Sequence, residues 1–149
     1  MDHGLLAATV EACRSLIEDR FPAGTHRGAA AMLLGDGTVL TGTSPEAVNP
    51  SVQVCHETEP YCGAFRLNQR ILASVCLHCV PDGQFLVLSP CGVCRERLAT
   101  HGADVLIAVA GPDDPTAVQW VRLREALPHY WMTAFPEDLT GWEADASSS

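Results

Sequence analysis

Hydrophobic positions along the chain alternate between helical spacing and short apolar runs. Residues 5–20, LLAATVEACRSLIEDR, place apolar side chains three and four positions apart with polar residues between them. This spacing predicts a helix that packs one face against a core. Residues 27–42, RGAAAMLLGDGTVLTG, form two apolar runs around a Gly-Asp-Gly turn, which predicts a β-hairpin.

The pattern becomes less regular in the middle of the chain. Residues 44–54 contain two prolines and an asparagine and predict a loop, followed by a second helix over about 55–71. Pro60 lacks a backbone donor, so this helix should begin late or bend in its first turns. Residues 72–80, LASVCLHCV, predict a buried strand, and residues 84–88 predict a short extended segment.

A third helix is predicted in the segment SPCGVCRERLATHG. Ser89 suits its N-cap, Pro90 its first helical position and Gly102 its C-cap. The runs ADVLIAVAG and AVQWVRL predict two further strands, and REALPHYW predicts a short helical turn. The order of elements predicts one layered α/β domain over residues 1–142 with a single mixed sheet, and the polar residues 143–149 predict a disordered tail.

Composition and charge narrow the class of protein. The 149 residues include nine Lys and Arg against eighteen Asp and Glu, a net charge of -9 at pH 7. The chain therefore lacks the basic surface that nucleic acid requires, and we expect a small substrate that is not strongly anionic. Apolar runs such as residues 105–110 are too short to span a membrane, and the N-terminus lacks the blocks of a signal peptide. We therefore expect a soluble, cytoplasmic protein with neither a nucleic-acid nor a membrane partner.

Seven cysteines, an odd number without a secretory signal, favour reduced thiols over a disulfide framework. Two C-x-x-C pairs stand out. A redox pair at Cys91 and Cys94 would suit a helix start, but the order of elements differs from that of thioredoxin-like proteins. A structural zinc site would add Cys76 and Cys79. However, residues three apart in a strand point to opposite faces, which favours that second pair as core residues.

The third interpretation is a catalytic metal. Residues 53–59, QVCHETE, supply one more thiol at Cys55 and an acid at Glu57. Zinc deaminases carry His or Cys two residues before a glutamate, followed by P-C-x-x-C. The zinc ligands would then be Cys55, Cys91 and Cys94, with a fourth position open to water. Glu57 would be the general acid and base that moves protons.

These motifs resemble those of the cytidine deaminase family, in its small homotetrameric zinc type that includes blasticidin-S deaminase. The resemblance runs from about residue 20 to residue 140. It includes the hairpin GAAAMLLGDGTVLTG, the motifs CHE and PCGVCR, and the C-terminal stretch LREALPHYWMTAFPEDL. It implies a three-layer α/β/α fold with one mixed five-stranded sheet, a Zn²⁺ cofactor and a homotetramer. The implied reaction deaminates cytidine, deoxycytidine or a related aminopyrimidine nucleoside and releases ammonia.

The resemblance also implies roles for residues outside the zinc motifs. Glu46 matches the glutamate of the family's N-x-E motif for the ribose, while Ser44 takes the place of the asparagine. Phe135 matches a phenylalanine that reaches a neighbouring subunit's site and covers the base. Thr25 and Thr58 occupy positions where the family has an aromatic residue and an arginine, respectively.

The change at Thr58 matters for charge. Three thiolates on Zn²⁺ leave a net charge of -1, which calls for positive potential nearby. The N-termini of the helices behind Cys55 and Cys91 would supply part of it. Because the family's arginine is replaced, Arg95 and His56 are the candidates to supply the rest of the positive potential.

Two alternatives remain at this point. One is a deaminase of a modified cytosine nucleoside, such as a blasticidin-type antibiotic, which the departures at Ser44 and Thr25 favour. The other is a non-catalytic zinc or thiol protein in which both C-x-x-C pairs share a structural metal.

Overall fold

The computed structural model describes residues 1–143, so the predicted tail lies almost entirely outside the described residues. The helices are α1 (His3–Arg20), α2 (Thr58–Arg66), α3 (Gly92–Leu98) and α4 (Leu123–Ala126). The strands are β1 (Arg27–Leu34), β2 (Val39–Gly42), β3 (Ile71–Cys79), β4 (Phe85–Val87), β5 (Leu106–Gly111) and β6 (Asp114–Arg122). Within residues 1–143, no helix has both the length and the apolar character needed to cross a bilayer.

All strands join one mixed sheet in the order β2, β1, β3, β5, β6, with β4 paired to β3 outside this path. The β3 and β5 pair is parallel, and the other pairs are antiparallel. The five predicted strands are all present, whereas the segment predicted only as extended forms a sixth, β4. This strand can form because β5 pairs with β3 only at Ala73 and Ser74. The C-terminal half of β3 is then free to pair with β4 from Leu77 to Cys79.

Alternate residues of the central strands face two separate cores. The core against α1 includes Val10, Cys13, Ile17, Ala29, Ala31, Val75 and Leu77. The core against α2 and α3 includes Met32, Leu34, Ala64, Ile71 and Leu98. Successive strand side chains point to opposite faces, so the nearly continuous apolar runs of β1 and β3 bury both faces of the sheet. The predicted three-layer α/β/α arrangement is therefore confirmed.

Helix α2 is shorter than predicted at both ends. It begins at Thr58, and Pro60 lies in its first turn, where a helix does not use its backbone donors. Its end was predicted too late: Asn68 adopts a φ of 53°, a left-handed conformation that ends a helix. The late start leaves the residues around Glu57 in a turn rather than within the helix.

Helix α3 also begins later than predicted. The backbone N–H of Leu88 donates to the carbonyl of Cys76, so the chain follows β3 up to that residue. Cys91, not Ser89, is the N-cap, and its ψ of 172° is extended. Gly102, with a φ of 104°, follows the last turn as predicted. The later start places Cys91 at the end of the loop and Cys94 in the first turn of α3.

Candidate metal centre and active site

Three thiols meet where the turn before α2 approaches the start of α3. The sulfur atoms of Cys55, Cys91 and Cys94 all lie within 4.8 Å of one another. Those of Cys55 and Cys91 are 3.4 Å apart. A tetrahedral zinc ion with Zn–S bonds of about 2.3 Å separates its sulfur ligands by roughly 3.8 Å. The spacing and the donor type of this cluster therefore fit a zinc ion, and the structure brings together the three predicted ligands.

The local environment perturbs all three thiols. Burial is the main cause that raises the pKa of both Cys55 and Cys94. At Cys94 the negative charge of the Glu57 side chain raises the pKa further. Burial also opposes ionisation of Cys91. However, the backbone N–H of Cys94 and the thiol of Cys55 outweigh it and lower the pKa of Cys91. A bound divalent cation would favour the thiolate form of all three side chains.

The carboxylate of Glu57 is buried beside this cluster. Glu57 is the N-cap residue of α2 and is only 5% exposed. Together with Cys94 and Arg97 it lines a narrow gap on the α2 and α3 side of the sheet that is too small to hold a water molecule. Glu59 is exposed and lies 3.4 Å from the backbone N–H of Thr43. The structure therefore separates a buried acid next to the thiols from a second acid at the surface.

His56 fixes the loop that follows β2. Its Nδ1 accepts a hydrogen bond from the backbone N–H of Ser44 at 2.9 Å and lies 3.3 Å from the hydroxyl of Thr43. The ring lies over Gly28, where an added Cβ would be 2.7 Å from Nε2. Burial lowers the pKa of His56, which favours the neutral ring that this hydrogen bond requires. His56 thus links the segment of Cys55 to the loop of Ser44 and Glu46.

The two arginines of α3 make different contacts. Arg95 donates from Nε and Nη1 to the carbonyl oxygens of Pro90 and Ala126, both at 2.8 Å, and so ties α3 to α4. Arg97 donates from Nη1 to the hydroxyl of Thr58 at 2.9 Å. No motif in the sequence pointed to Arg97. Its position one turn after Cys94 on the same helix was the available signal.

The predicted substrate-side residues lie on separate segments. Ser44 is half-buried and Glu46 is exposed, both in the loop that His56 holds. Phe135 lies between two short 3₁₀ turns of the C-terminal segment and is 48% exposed. That segment packs against α3 through the hydroxyl of Tyr130, which donates to Glu96 at 2.9 Å. Phe135 does not line the narrow gap beside Glu57.

The second C-x-x-C pair does not join the metal cluster. Cys79 lies in the core against α1, together with its strand neighbours Val75 and Leu77. Cys76 lies between those neighbours in β3, so its side chain faces the other side of the sheet. The prediction that the two thiols point to opposite faces is confirmed. A structural metal held by both pairs is therefore not supported.

Among those compared here by identity and TM-score, the relatives and solved structures that resemble this chain are all cytidine deaminases. No family model matches the chain. The cytidine deaminases of two Mycobacterium tuberculosis strains are 38% identical over 100 residues, 66% of this chain and 68% of theirs. The crystal structure of the cytidine deaminase from Bacillus anthracis superimposes with a TM-score of 0.83 at 31% identity, covering 89% of this chain and 94% of that chain. The cytidine deaminase structure from Mycobacterium tuberculosis gives a TM-score of 0.58 at 28% identity, covering 80% and 94%.

Proposed function

The chain belongs to the cytidine deaminase family, and on this premise we propose that it is a zinc-dependent hydrolase of cytidine, deoxycytidine or a related aminopyrimidine nucleoside. Membership of the family shows that the chain is a deaminase, whereas the metal and the substrate are our proposals. The observation that carries them is the cluster of three thiols, Cys55, Cys91 and Cys94, beside the buried carboxylate of Glu57. In the reaction, water replaces the amino group of the ring and ammonia leaves.

The three thiols would hold the zinc ion from two sides. Cys55 approaches from the turn before α2, and Cys91 and Cys94 approach from the start of α3. The ion supplies Lewis acidity, which makes hydroxide available from water at neutral pH. The protein contributes the fixed spacing of the sulfur atoms and a backbone N–H, that of Cys94, directed at Cys91. Such hydrogen bonds orient thiolate ligands and tune the metal.

Glu57 would move the protons. Its carboxylate takes one proton from the attacking water and passes it to the ring nitrogen, then takes the remaining proton of the added hydroxyl group and delivers it to the leaving amine. Each turnover therefore consumes one water and returns the carboxylate to its starting state. Burial suits this role, because a carboxylate near the reacting atoms in a site of low polarity transfers protons without first shedding a shell of water.

The loop that carries Ser44 and Glu46 would bind the sugar. Because His56 holds this loop close to Cys55, the sugar contacts and the metal keep a fixed separation. We expect the purified chain to release ammonia from cytidine and deoxycytidine. The Glu46→Gln substitution should raise KM for nucleosides by about five- to 150-fold, since a lost hydrogen bond costs about 1 to 3 kcal/mol. The measurement is steady-state ammonia release on a panel of nucleosides, cytosine and blasticidin-type antibiotics.

Two further variants serve as controls for the predicted sugar contact. Glu18→Gln, at an exposed carboxylate of α1, should leave KM unchanged. Ser44→Asn restores the family's asparagine and should lower KM. Equal KM values for the parent and Glu46→Gln on every nucleoside would contradict the sugar contact. Turnover of only a modified cytosine nucleoside would assign the chain to the blasticidin-type branch.

We further propose a homotetramer whose sites are shared between subunits. Large apolar side chains remain exposed on the segments that flank the thiols, namely Val52, Val54, Leu88 and Val93. Clustered exposed apolar groups are typical of protein interfaces. Phe135 is half exposed and does not line the narrow gap beside Glu57 in its own chain, so a neighbouring site is where it would act.

Phe135→Ala should therefore lower kcat/KM by about tenfold or more without loss of zinc. A stacking contact on the order of 1 kcal/mol and the exclusion of water are lost together. Co-expression with Glu57→Gln chains is the decisive assay, because a mixed site can combine an intact glutamate with an intact phenylalanine. Recovered activity in mixed oligomers would support shared sites. A fully active monomer in light scattering would exclude them.

A cytoplasmic location agrees with the state of the cysteines. All seven are free thiols, including Cys62 at the surface of α2. Thiols stay reduced in the cytoplasm, whereas oxidising compartments pair them. A zinc site built from three thiols is compatible with that reducing environment, and we propose that the protein acts there.

A further inference from the structure

The thiol cluster concentrates negative charge. Three thiolates on a divalent cation carry a net charge of -1, and the carboxylate of Glu57 adds another beside Cys94. Burying like charges together is costly unless a cation compensates them. The residue after Glu57, where the resembled family has an arginine, is Thr58, whose side chain is uncharged.

The two side chains expected from the sequence to compensate this charge serve other contacts. Arg95 directs Nε and Nη1 to the carbonyl oxygens of Pro90 and Ala126. His56 accepts a hydrogen bond at Nδ1 from a backbone N–H, which requires the neutral ring.

Arg97 is placed to supply the missing charge. It is half-buried and lines the same narrow gap as Glu57 and Cys94. Its Nη1 donates to the hydroxyl of Thr58 at 2.9 Å, so the guanidinium occupies the surroundings of the position where the family carries its own arginine. The guanidinium carbon also lies 5.9 Å from the centre of the Tyr61 ring, a cation–π contact. Two independent contacts from α2 therefore hold the side chain in place.

We propose that Arg97 is a positioning residue that stabilises the thiolate ligands, in place of an arginine at position 58. The charge reaches the site from α3 instead of α2, and Thr58 becomes the acceptor that fixes it. A guanidinium suits this role because it stays protonated even when half-buried. This inference rests on the proposed zinc site.

The test compares zinc affinity in four variants of the full-length chain. Arg97→Gln removes the charge and keeps most of the side-chain length. It should weaken zinc binding by about ten- to a hundredfold, the usual effect of losing a group that supports metal ligands. Arg97→Lys keeps the charge and should recover most of the affinity.

The double variant Arg97→Gln, Thr58→Arg restores the family's arrangement and should also recover the affinity for zinc. Arg66→Gln, at the exposed end of α2, is the matched control and should bind zinc like the parent.

Cobalt spectroscopy separates an electrostatic role from a purely structural one. If Arg97 acts on the sulfur atoms electrostatically, as proposed, its positive charge lowers the energy of their lone pairs. Its removal in Arg97→Gln should therefore move the thiolate-to-cobalt charge-transfer band to longer wavelength, and Thr58→Arg in that background should move it back. Competition with a chromogenic chelator gives the zinc affinities.

Each outcome decides a separate point. An Arg97→Gln variant with the parent's affinity and cobalt spectrum would overturn the inference and leave the zinc site standing. A loss of affinity that neither Arg97→Lys nor the double variant recovers would show that Arg97 acts only through packing, which also overturns it. A parent chain that binds no zinc would overturn the proposed function itself.

Discussion

Glu57→Gln is expected to lower kcat by about two to four orders of magnitude, the usual scale for a lost general acid or base. Glutamine has nearly the same shape and can remain buried at the N-cap of α2, where the glutamate side chain makes no capping hydrogen bond. It cannot accept a proton from water or deliver one to the base. Zinc content and thermal unfolding should therefore stay close to those of the parent. The checks are ammonia release under saturating cytidine and metal analysis of the purified variant.

Glu59→Gln is the matched control for this variant. Glu59 lies two residues further along the same segment, but its side chain is exposed. The two substitutions change net charge equally, so any effect of overall charge on turnover should appear in both. We expect Glu59→Gln to keep kcat within about threefold of the parent, as surface substitutions change little. If Glu57→Gln retained a comparable rate, another group would have to move the proton.

The sequence predicted the cluster of three thiols because its signal is local. The motifs CHE and PCGVC specify chemistry through short spacings that do not depend on the exact ends of helices. The helix boundaries themselves were less accurate. Ser89 and Pro90 match the start of a helix in isolation, yet pairing along β3 keeps the chain extended until Cys91 caps α3. Tertiary contacts outweighed local propensity there.

The role inferred for Arg97 illustrates what the sequence alone does not reveal. Arg97 and Thr58 are 39 positions apart and meet only because α2 and α3 pack on the same face of the sheet. Arg95 was the more obvious candidate, since it directly follows Cys94. Its hydrogen bonds to the carbonyl oxygens of Pro90 and Ala126 could not be predicted, because the sequence does not show that α4 packs against α3. Similarly, the fixed loop of Ser44 depends on the small size of Gly28 beneath His56.

The three cysteines of the thiol cluster and the two of β3 can be separated by their effect on zinc. Cys76 is buried on the face of β3 that also carries the metal cluster, and burial raises its pKa strongly. The raised pKa does not distinguish Cys76 from Cys94, but among the described residues only Cys55, Cys91 and Cys94 bring their sulfur atoms within 4.8 Å of one another. Cys76 should therefore behave as a core residue despite its position.

Ala substitution at Cys55, Cys91 or Cys94 should each abolish most zinc binding and, with it, deaminase activity. Structural zinc sites bind with about 10 to 16 kcal/mol, so the loss of one of three protein ligands costs roughly 3 to 5 kcal/mol, more than a hundredfold in affinity. Cys76→Ala and Cys79→Ala should keep stoichiometric zinc and lose only some stability, because each removes a buried sulfur from a packed core. Metal analysis after dialysis against a weak chelator, with thermal unfolding of every variant, measures both effects. Zinc that depends on Cys76 and Cys79 but survives Cys55→Ala would place the metal elsewhere and refute the proposed site.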